Sequence, residues 1–256
     1  VTSLDEFIGA DLVVGADGVN SLVRRSFVDE FGASVTFLAN YFAWFGTGQR
    51  YDTLTQTFRH TPIGDFNAHH YRHAPGRSTF VVETDEASFT RAGFERMEEA
   101  ETRSLCQKIF GDALGGHPLI SNNSLWRRFP VVRNVRWHHG KYVLVGDALH
   151  TAHFSIGSGT RLAMEDAIAL DRALAAHDDD VAAALPAFEA ARRPVVDKLV
   201  TGANGSATWY ESFAERMELA PVDFAMSYIT RSGRVDLDRL RKLSPKFVER
   251  YERERS

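Results

Sequence analysis

Apolar positions along this chain follow two rhythms. Asp11 to Ala16 and Tyr142 to Val145 are short, unbroken apolar runs with β-branched members, which predict buried strands. Between Val35 and Phe129 the runs Tyr41–Phe45, Thr53–Phe58, Asn67–His73 and Ser78–Glu83 are aromatic or β-branched, and turn signals such as Thr61-Pro-Ile-Gly64 and Ala74-Pro-Gly76 separate them. That spacing predicts an antiparallel sheet with one face available to a ligand. A helical period governs the rest. Ser21 or Asn20 caps a short helix through Phe27, Ser88 to Phe110 forms one or two amphipathic helices, and Ala163, Ala167, Leu170 and Leu174 share a stripe. Pro186 is expected to start or kink a helix that Arg192-Arg193-Pro194 closes. Another helix is expected over Val196–Met217, and a short surface helix in the charged tail from Val235.

The stretch Gly140–Leu170 combines a strand, a loop carrying Gly157 and Gly159, and a helix, with Asp147 at the carboxyl end of the strand. In open α/β sheets ligands bind there, because loop amides and the positive helix end face the crevice. The fold class expected is α/β (α+β overall): a Rossmann-like nucleotide-binding domain, incomplete, with an inserted antiparallel-sheet domain and C-terminal helices. The boundaries expected are 1–34 with 131–205 for the first domain, 35–130 for the insert and 206–256 for a C-terminal helical segment. No G-x-G-x-x-G occurs: Gly157-x-Gly159 comes nearest, with Leu162 where a third glycine belongs. A strand so soon after Val1, without that turn, leads us to expect a piece of something longer.

Composition excludes more than it identifies. The 256 residues are 44% hydrophobic, with a formal net charge of -4, so nothing points to a nucleic-acid partner. A lone cysteine, Cys106, and no long apolar run point to a cytoplasmic chain without disulfides or membrane contact. No metal is expected, since His150-x-x-His153 and the His69, His70, His73 group have no carboxylate or cysteine at supporting spacing. Asp147, His150 and Ser155 match a hydrolase triad by residue type only, without the elbow that exposes a serine.

Two segments together resemble a known family. Asp11-Leu-Val-Val-Gly-Ala-Asp-Gly-Val-Asn-Ser-Leu-Val-Arg24 is similar to the Asp-Gly motif of the FAD-dependent aromatic hydroxylases, the single-component flavoprotein monooxygenases. Gly146-Asp-Ala-Leu-His150, Gly157-x-Gly159 and Glu165-Asp166 resemble their second FAD motif. A narrower resemblance, to the salicylyl-CoA 5-hydroxylase and 2-aminobenzoyl-CoA monooxygenase group, rests on His153-Phe-Ser-Ile-Gly-Ser-Gly-Thr160, Trp209-Tyr-Glu-Ser-Phe213 and Asp223-Phe-Ala-Met-Ser-Tyr-Ile-Thr-Arg-Ser-Gly233. The His-Phe-Ser-Ile-Gly loop also occurs in tryptophan-pathway hydroxylases, so that loop alone does not choose a substrate.

The resemblance implies FAD as cofactor, NAD(P)H and O2 as co-substrates, and hydroxylation of an activated aromatic ring, on a small aromatic substrate or its CoA thioester; without the glycine-rich turn, this stretch alone is expected to be inactive and not to retain FAD tightly. It implies a possible homodimer and, in the parent, an old-yellow-enzyme-like C-terminal domain. Asp147 corresponds to the carboxylate on the ribityl chain; the amides about Ser158, Gly159 and Thr160 face the flavin, with Gly146 and Gly157 shaping the loops. Asp17 and Arg24 belong to the pyrophosphate side. Trp44, His70 and Phe154 are candidates for the substrate ring, and His150 and His153 for acid–base chemistry. A plainer reading of each remains: a cap and surface arginine, sheet core, hydrogen-bonded loop histidines. Relatives mostly carry prolines where His153 and Phe154 stand, and often asparagine in place of Arg161. A tryptophan- or indole-type aromatic hydroxylase, a non-oxygenating flavin reductase and a non-catalytic binding remnant are the competing functions.

Overall fold

The computed structural model describes residues 2–255, which form two compact units. Residues 2–37, 130–209 and 225–255 belong to the first and 38–129 with 210–224 to the second. In chain order the elements are β1 (Val13–Gly15), α1 (Leu22–Ser26), α2 (Val28–Phe31), β2 (Ala33–Thr47), β3 (Thr55–Thr61), β4 (Gly64–Ala74) and β5 (Arg77–Thr84). There follow α3 (Glu86–Ala92), α4 (Glu99–Ile109), α5 (Gly111–Leu114), β6 (Leu119–Ile120), β7 (Arg127–Asn134), β8 (His138–His139) and β9 (Tyr142–Leu144). The chain ends with α6 (Gly159–Ala176), α7 (Val181–Glu211), α8 (Phe213–Arg216), α9 (Pro221–Thr230), α10 (Leu237–Leu243) and α11 (Pro245–Arg255).

In the first unit β1 and β9 run parallel, Val13 opposite Tyr142 and Gly15 opposite Leu144, and β8 adds an antiparallel edge. Two strands far apart in sequence pair because each is an apolar run that water excludes; Val143 and Leu144 are fully buried. Leu149, Leu162, Leu170, Phe188 and Trp137 complete this core. A Cβ on Gly15 would lie 2.8 Å from Leu144 and 3.0 Å from Val23, so only glycine lets α1 sit this close to the sheet.

Helix α7 departs from expectation. It continues for 31 residues through both Pro186 and Pro194, where the sequence predicted a stop. Each proline removes one backbone hydrogen bond, a cost of about 3 kcal/mol. A buried stripe of Leu185, Phe188, Val196, Ala203 and Ala207 offsets that cost by keeping one face apolar on either side of Pro194. Residues 210–224 group with the sheet unit and 225–255 with the first unit.

The second unit is a sheet of order β3-β4-β5-β2-β6, with β7 also on β2. Alternation gives it two faces. Phe45, Phe66, His70 and Phe80 point toward α3, α4 and α5, where they meet Phe89, Cys106, Phe110 and Leu114. Cys106 is completely buried and burial pushes its thiol up, which keeps it unreactive. The opposite face carries Phe42 and Trp44 beside Glu83 and Val81.

His70 therefore does not share a face with Trp44. It stacks on Phe80 with centroids 5.1 Å apart and bonds Thr57 Oγ1 at 2.8 Å. Burial first, then the charges of His69 and Arg59, push it down from 6.5 to about 4. The unfolded chain thus holds more protons between those two values, so the stability His70 contributes is full above pH 6.5 and is lost as pH falls toward 4. We expect urea unfolding to show about 2 kcal/mol less of this contribution at pH 4.5 than at pH 7, and His70→Gln to remove that part of the slope. An identical pH slope in the variant would refute the assignment.

Candidate functional site

The first unit brings the two motif segments side by side. β1 ends at Gly15, whose carbonyl accepts the Val145 N–H at 3.1 Å, so both strands deliver their following loops to one edge. Asp17 closes the first loop by accepting the Leu22 N–H at 2.5 Å, and Ser21 caps α1 by accepting the Arg24 N–H at 3.0 Å. Arg24 then turns inward and is 4% exposed. Its guanidinium donates to the Ala148 carbonyl at 2.8 Å and to the Val19 carbonyl. Burial lowers its pKa, with Asp17 opposing and Arg25 adding to the effect. The surface arginine that local reading allowed is instead a buried staple between the two motifs.

The second loop is gripped from several directions. Asn134 Nδ2 donates to the Leu149 carbonyl at 2.5 Å, and Thr151 Oγ1 donates to the Pro130 carbonyl at 2.8 Å. Asp166 on α6, with no exposure, is the centre: it accepts from the Gly146 N–H at 3.0 Å and Arg192 Nε at 2.8 Å, and lies 2.8 Å from His150 Nε2. Burial alone would raise this carboxyl; bonds and charge from His150, then Arg192 and the Gly146 amide, bring it below the ordinary carboxylate value. Arg192, on α7, also pairs with Glu165 at 2.8 Å and donates to the Leu162 carbonyl at 3.2 Å. Gly146 is left-handed, with φ of +59, and a Cβ there would lie 3.0 Å from that of Ala163.

What these contacts hold in place is Asp147. Its side chain, after the end of β9, reaches solvent on one side while the surrounding protein partly covers it, and it has no hydrogen-bond partner among the described residues. Its carboxyl is raised by burial, with His150 opposing the shift. Beyond it, Gly157 is left-handed and α6 starts at Gly159 without a side-chain cap on Ser158. The first amides of α6, at Gly159 and Thr160, thus keep unfilled donors at the positive end of an 18-residue helix. A free acceptor for hydroxyls beside free donors for an anionic edge fits the polyol and ring of a flavin nucleotide.

The histidines divide. His150 is committed to Asp166 and takes a positioning role. His153, 3% exposed, pairs through Nδ1 with Ser155 Oγ at 2.9 Å and packs at a tilt of 34° on the Phe154 ring, centroids 4.2 Å apart. Ser155 Oγ lies 2.7 Å from Ser206 Oγ, to which Arg231 Nε donates at 3.0 Å; Arg231 also donates to the Ser155 carbonyl at 3.1 Å. Arg192, Ser206, Arg231 and Asn134 were not singled out from sequence. Only the Arg-Ser-Gly of the tail hinted at one of them.

These loops and the uncapped helix define an FAD-binding fold, and the family model described as "FAD binding domain" matches residues 2–203. The chain belongs to that family. It is 42% identical over 239 residues to a salicyloyl-CoA 5-hydroxylase of Streptomyces sp, covering 90% of this chain and 46% of the relative. It is 39% identical over 222 residues to the protodeoxyviolaceinate monooxygenase of Chromobacterium violaceum, covering 86% and 59%. Among solved structures, pqsL, a probable FAD-dependent monooxygenase from Pseudomonas aeruginosa, shares the fold with a TM-score of 0.61 at 23% identity, over 86% of this chain and 59% of that one. The chain thus spans about half the length of the curated relatives it matches. No described helix is long and apolar enough to cross a membrane.

Asp166→Asn is expected to cost about 3 kcal/mol in urea unfolding at pH 7, because Arg192 loses its most buried partner. The deficit should narrow as pH falls below the ordinary carboxylate value of 3.8, where the native protein loses the same contribution. A deficit that stays constant down to low pH would refute the charged role. Asp147→Ala is expected to weaken FAD binding about 10- to 100-fold in a fluorescence titration without moving the unfolding midpoint of the apoprotein. Unchanged affinity would remove Asp147 from the site.

Proposed function

We propose that this chain belongs to an FAD- and NAD(P)H-dependent monooxygenase that hydroxylates an activated aromatic ring, on an aromatic acyl-CoA such as salicylyl-CoA or 2-aminobenzoyl-CoA. The observation that carries the reading is the free Asp147 carboxylate beside the uncapped start of α6, in a chain 42% identical to a salicyloyl-CoA 5-hydroxylase. Bound FAD, reduced by NAD(P)H, supplies the oxygen-activating chemistry.

This chain's own residues bind and orient. With FAD bound, Asp147 would accept from the ribityl hydroxyls, and the amides of Gly159 and Thr160 with Ser158 would stabilise negative charge on the ring edge. Gly146 and Gly157 set the loop shapes around it. Asp17 orders the loop on the pyrophosphate side, while Arg24 keeps the two loops in register. Phe154 offers a ring surface to the substrate. His153 is the group we assign to a phenolic proton, its Nδ1 oriented by Ser155. An ortho hydroxyl or amino group on the substrate makes its ring electron-rich.

The test is a substrate panel on the whole FAD-loaded protein under labelled oxygen gas: salicylyl-CoA, 2-aminobenzoyl-CoA and free tryptophan, with NAD(P)H consumption followed in parallel. We expect one labelled oxygen in a hydroxylated acyl-CoA. Labelled product from tryptophan alone would replace the substrate class. Substrate-dependent NAD(P)H consumption with no labelled product would make the protein a reductase, and no turnover at all would favour a binding role.

A further inference from the structure

The face of the second unit's sheet that turns away from α3–α5 is chemically graded along β5. Arg77, Thr79, Val81 and Glu83 alternate onto it, spanning about 20 Å. At the Glu83 end the face is closed. Glu83, 1% exposed, accepts from Asn40 Nδ2 at 2.8 Å, and Tyr210 lies over His69 with centroids 5.0 Å apart. Phe213 and Phe224 cover Phe58 beside it.

At the Arg77 end a cleft of about 780 Å³ opens. Trp44, Ile120 and Leu125 line it, 46%, 52% and 50% exposed, together with His73, Arg77 and Arg127. No carboxylate lines it. The guanidinium groups of Arg77 and Arg127 are exposed and neither has a hydrogen bond or ion pair among the described residues. Two unpaired arginines and a histidine around a half-exposed indole, with no acid among them, select an anion that also carries a flat ring. The volume is that of a small-ligand pocket rather than of a single ion.

We propose that this cleft binds the phosphorylated nucleotide of a coenzyme A thioester, with Arg77 and Arg127 on its phosphates and Trp44 against the adenine. The inference rests on the acyl-CoA reading above and deepens it, because it names the residues that distinguish a CoA thioester from a free aromatic acid. Guanidinium forks meet phosphate oxygens in pairs, and an indole face accepts a purine without demanding a sequence of hydrogen bonds.

Titration calorimetry on the whole FAD-loaded protein tests this, with adenosine 3′,5′-bisphosphate and free CoA as probes. Binding should weaken about 100-fold in Arg77→Ala/Arg127→Ala, roughly tenfold for each guanidinium removed, and less in the double lysine variant. Trp44→Ala should weaken the bisphosphate but not inorganic phosphate. With aromatic acyl-CoA and the matching acyl-pantetheine as paired substrates, the ratio of kcat/KM values should fall about as far as the affinity does. No bisphosphate binding to the native protein, or binding unchanged in the double variant, overturns the cleft assignment even if acyl-CoA is turned over. Binding abolished in the double variant without any acyl-CoA turnover keeps the nucleotide site and overturns the substrate reading instead.

Discussion

The site depends on one buried carboxylate. Asp166 sits in the first half of α6, yet its partners are the Gly146 amide at the end of β9, the His150 ring and the Arg192 guanidinium on α7. A charge with no exposure persists only if it is paired and hydrogen-bonded, and here three groups do this: two on Oδ2 and one on Oδ1. This cluster converts α6 and α7, which would otherwise pack by apolar stripes that tolerate sliding, into a frame with one register. The loop holding Asp147 inherits that register, and so does the start of α6.

Arg24 supplies the complementary restraint from the other motif. Its two carbonyl contacts, at Ala148 and Val19, satisfy acceptors that tight turns leave unpaired. Around Asp147, then, the Ala148 and Leu149 carbonyls are engaged in holding the loop, while the carboxylate itself has no hydrogen-bond partner among the described residues. The second unit solves a different problem. One face of its sheet is a conventional aromatic core, while the other passes from a sealed acid at Glu83 to open cations at Arg77 within a single strand.

Much of this was legible locally. The paired runs at Asp11–Ala16 and Tyr142–Val145, the glycine-bearing loop and the stripe from Ala163 to Leu174 each declare themselves within a dozen residues. What could not be read was anything set by partners distant in sequence. Asp166 and Arg192 lie 26 residues apart, Arg24 and Ala148 lie 124 apart, and no local period links them. Pro194 reads as a terminator because local cost is all a window of sequence contains; the continuous buried stripe that overrides it becomes visible only when α7 is packed. Register decided His70 in the same way. Adjacent strand residues look alike in sequence, but a one-residue difference sends one to the core and the other to the open face.

The close approach of Gly146 to Ala163 carries an evolutionary consequence. The two positions meet at 3.0 Å with a virtual methyl in place, so one is already the smallest residue and the other next to it. Growth at either would wedge the strand end away from the helix start and move Asp147 relative to the free amides of α6. Loss of the methyl at Ala163 would open a gap and slacken the same distance. The pair therefore works as a calibrated spacer, and in lineages descended from this protein the two positions should drift together or not at all.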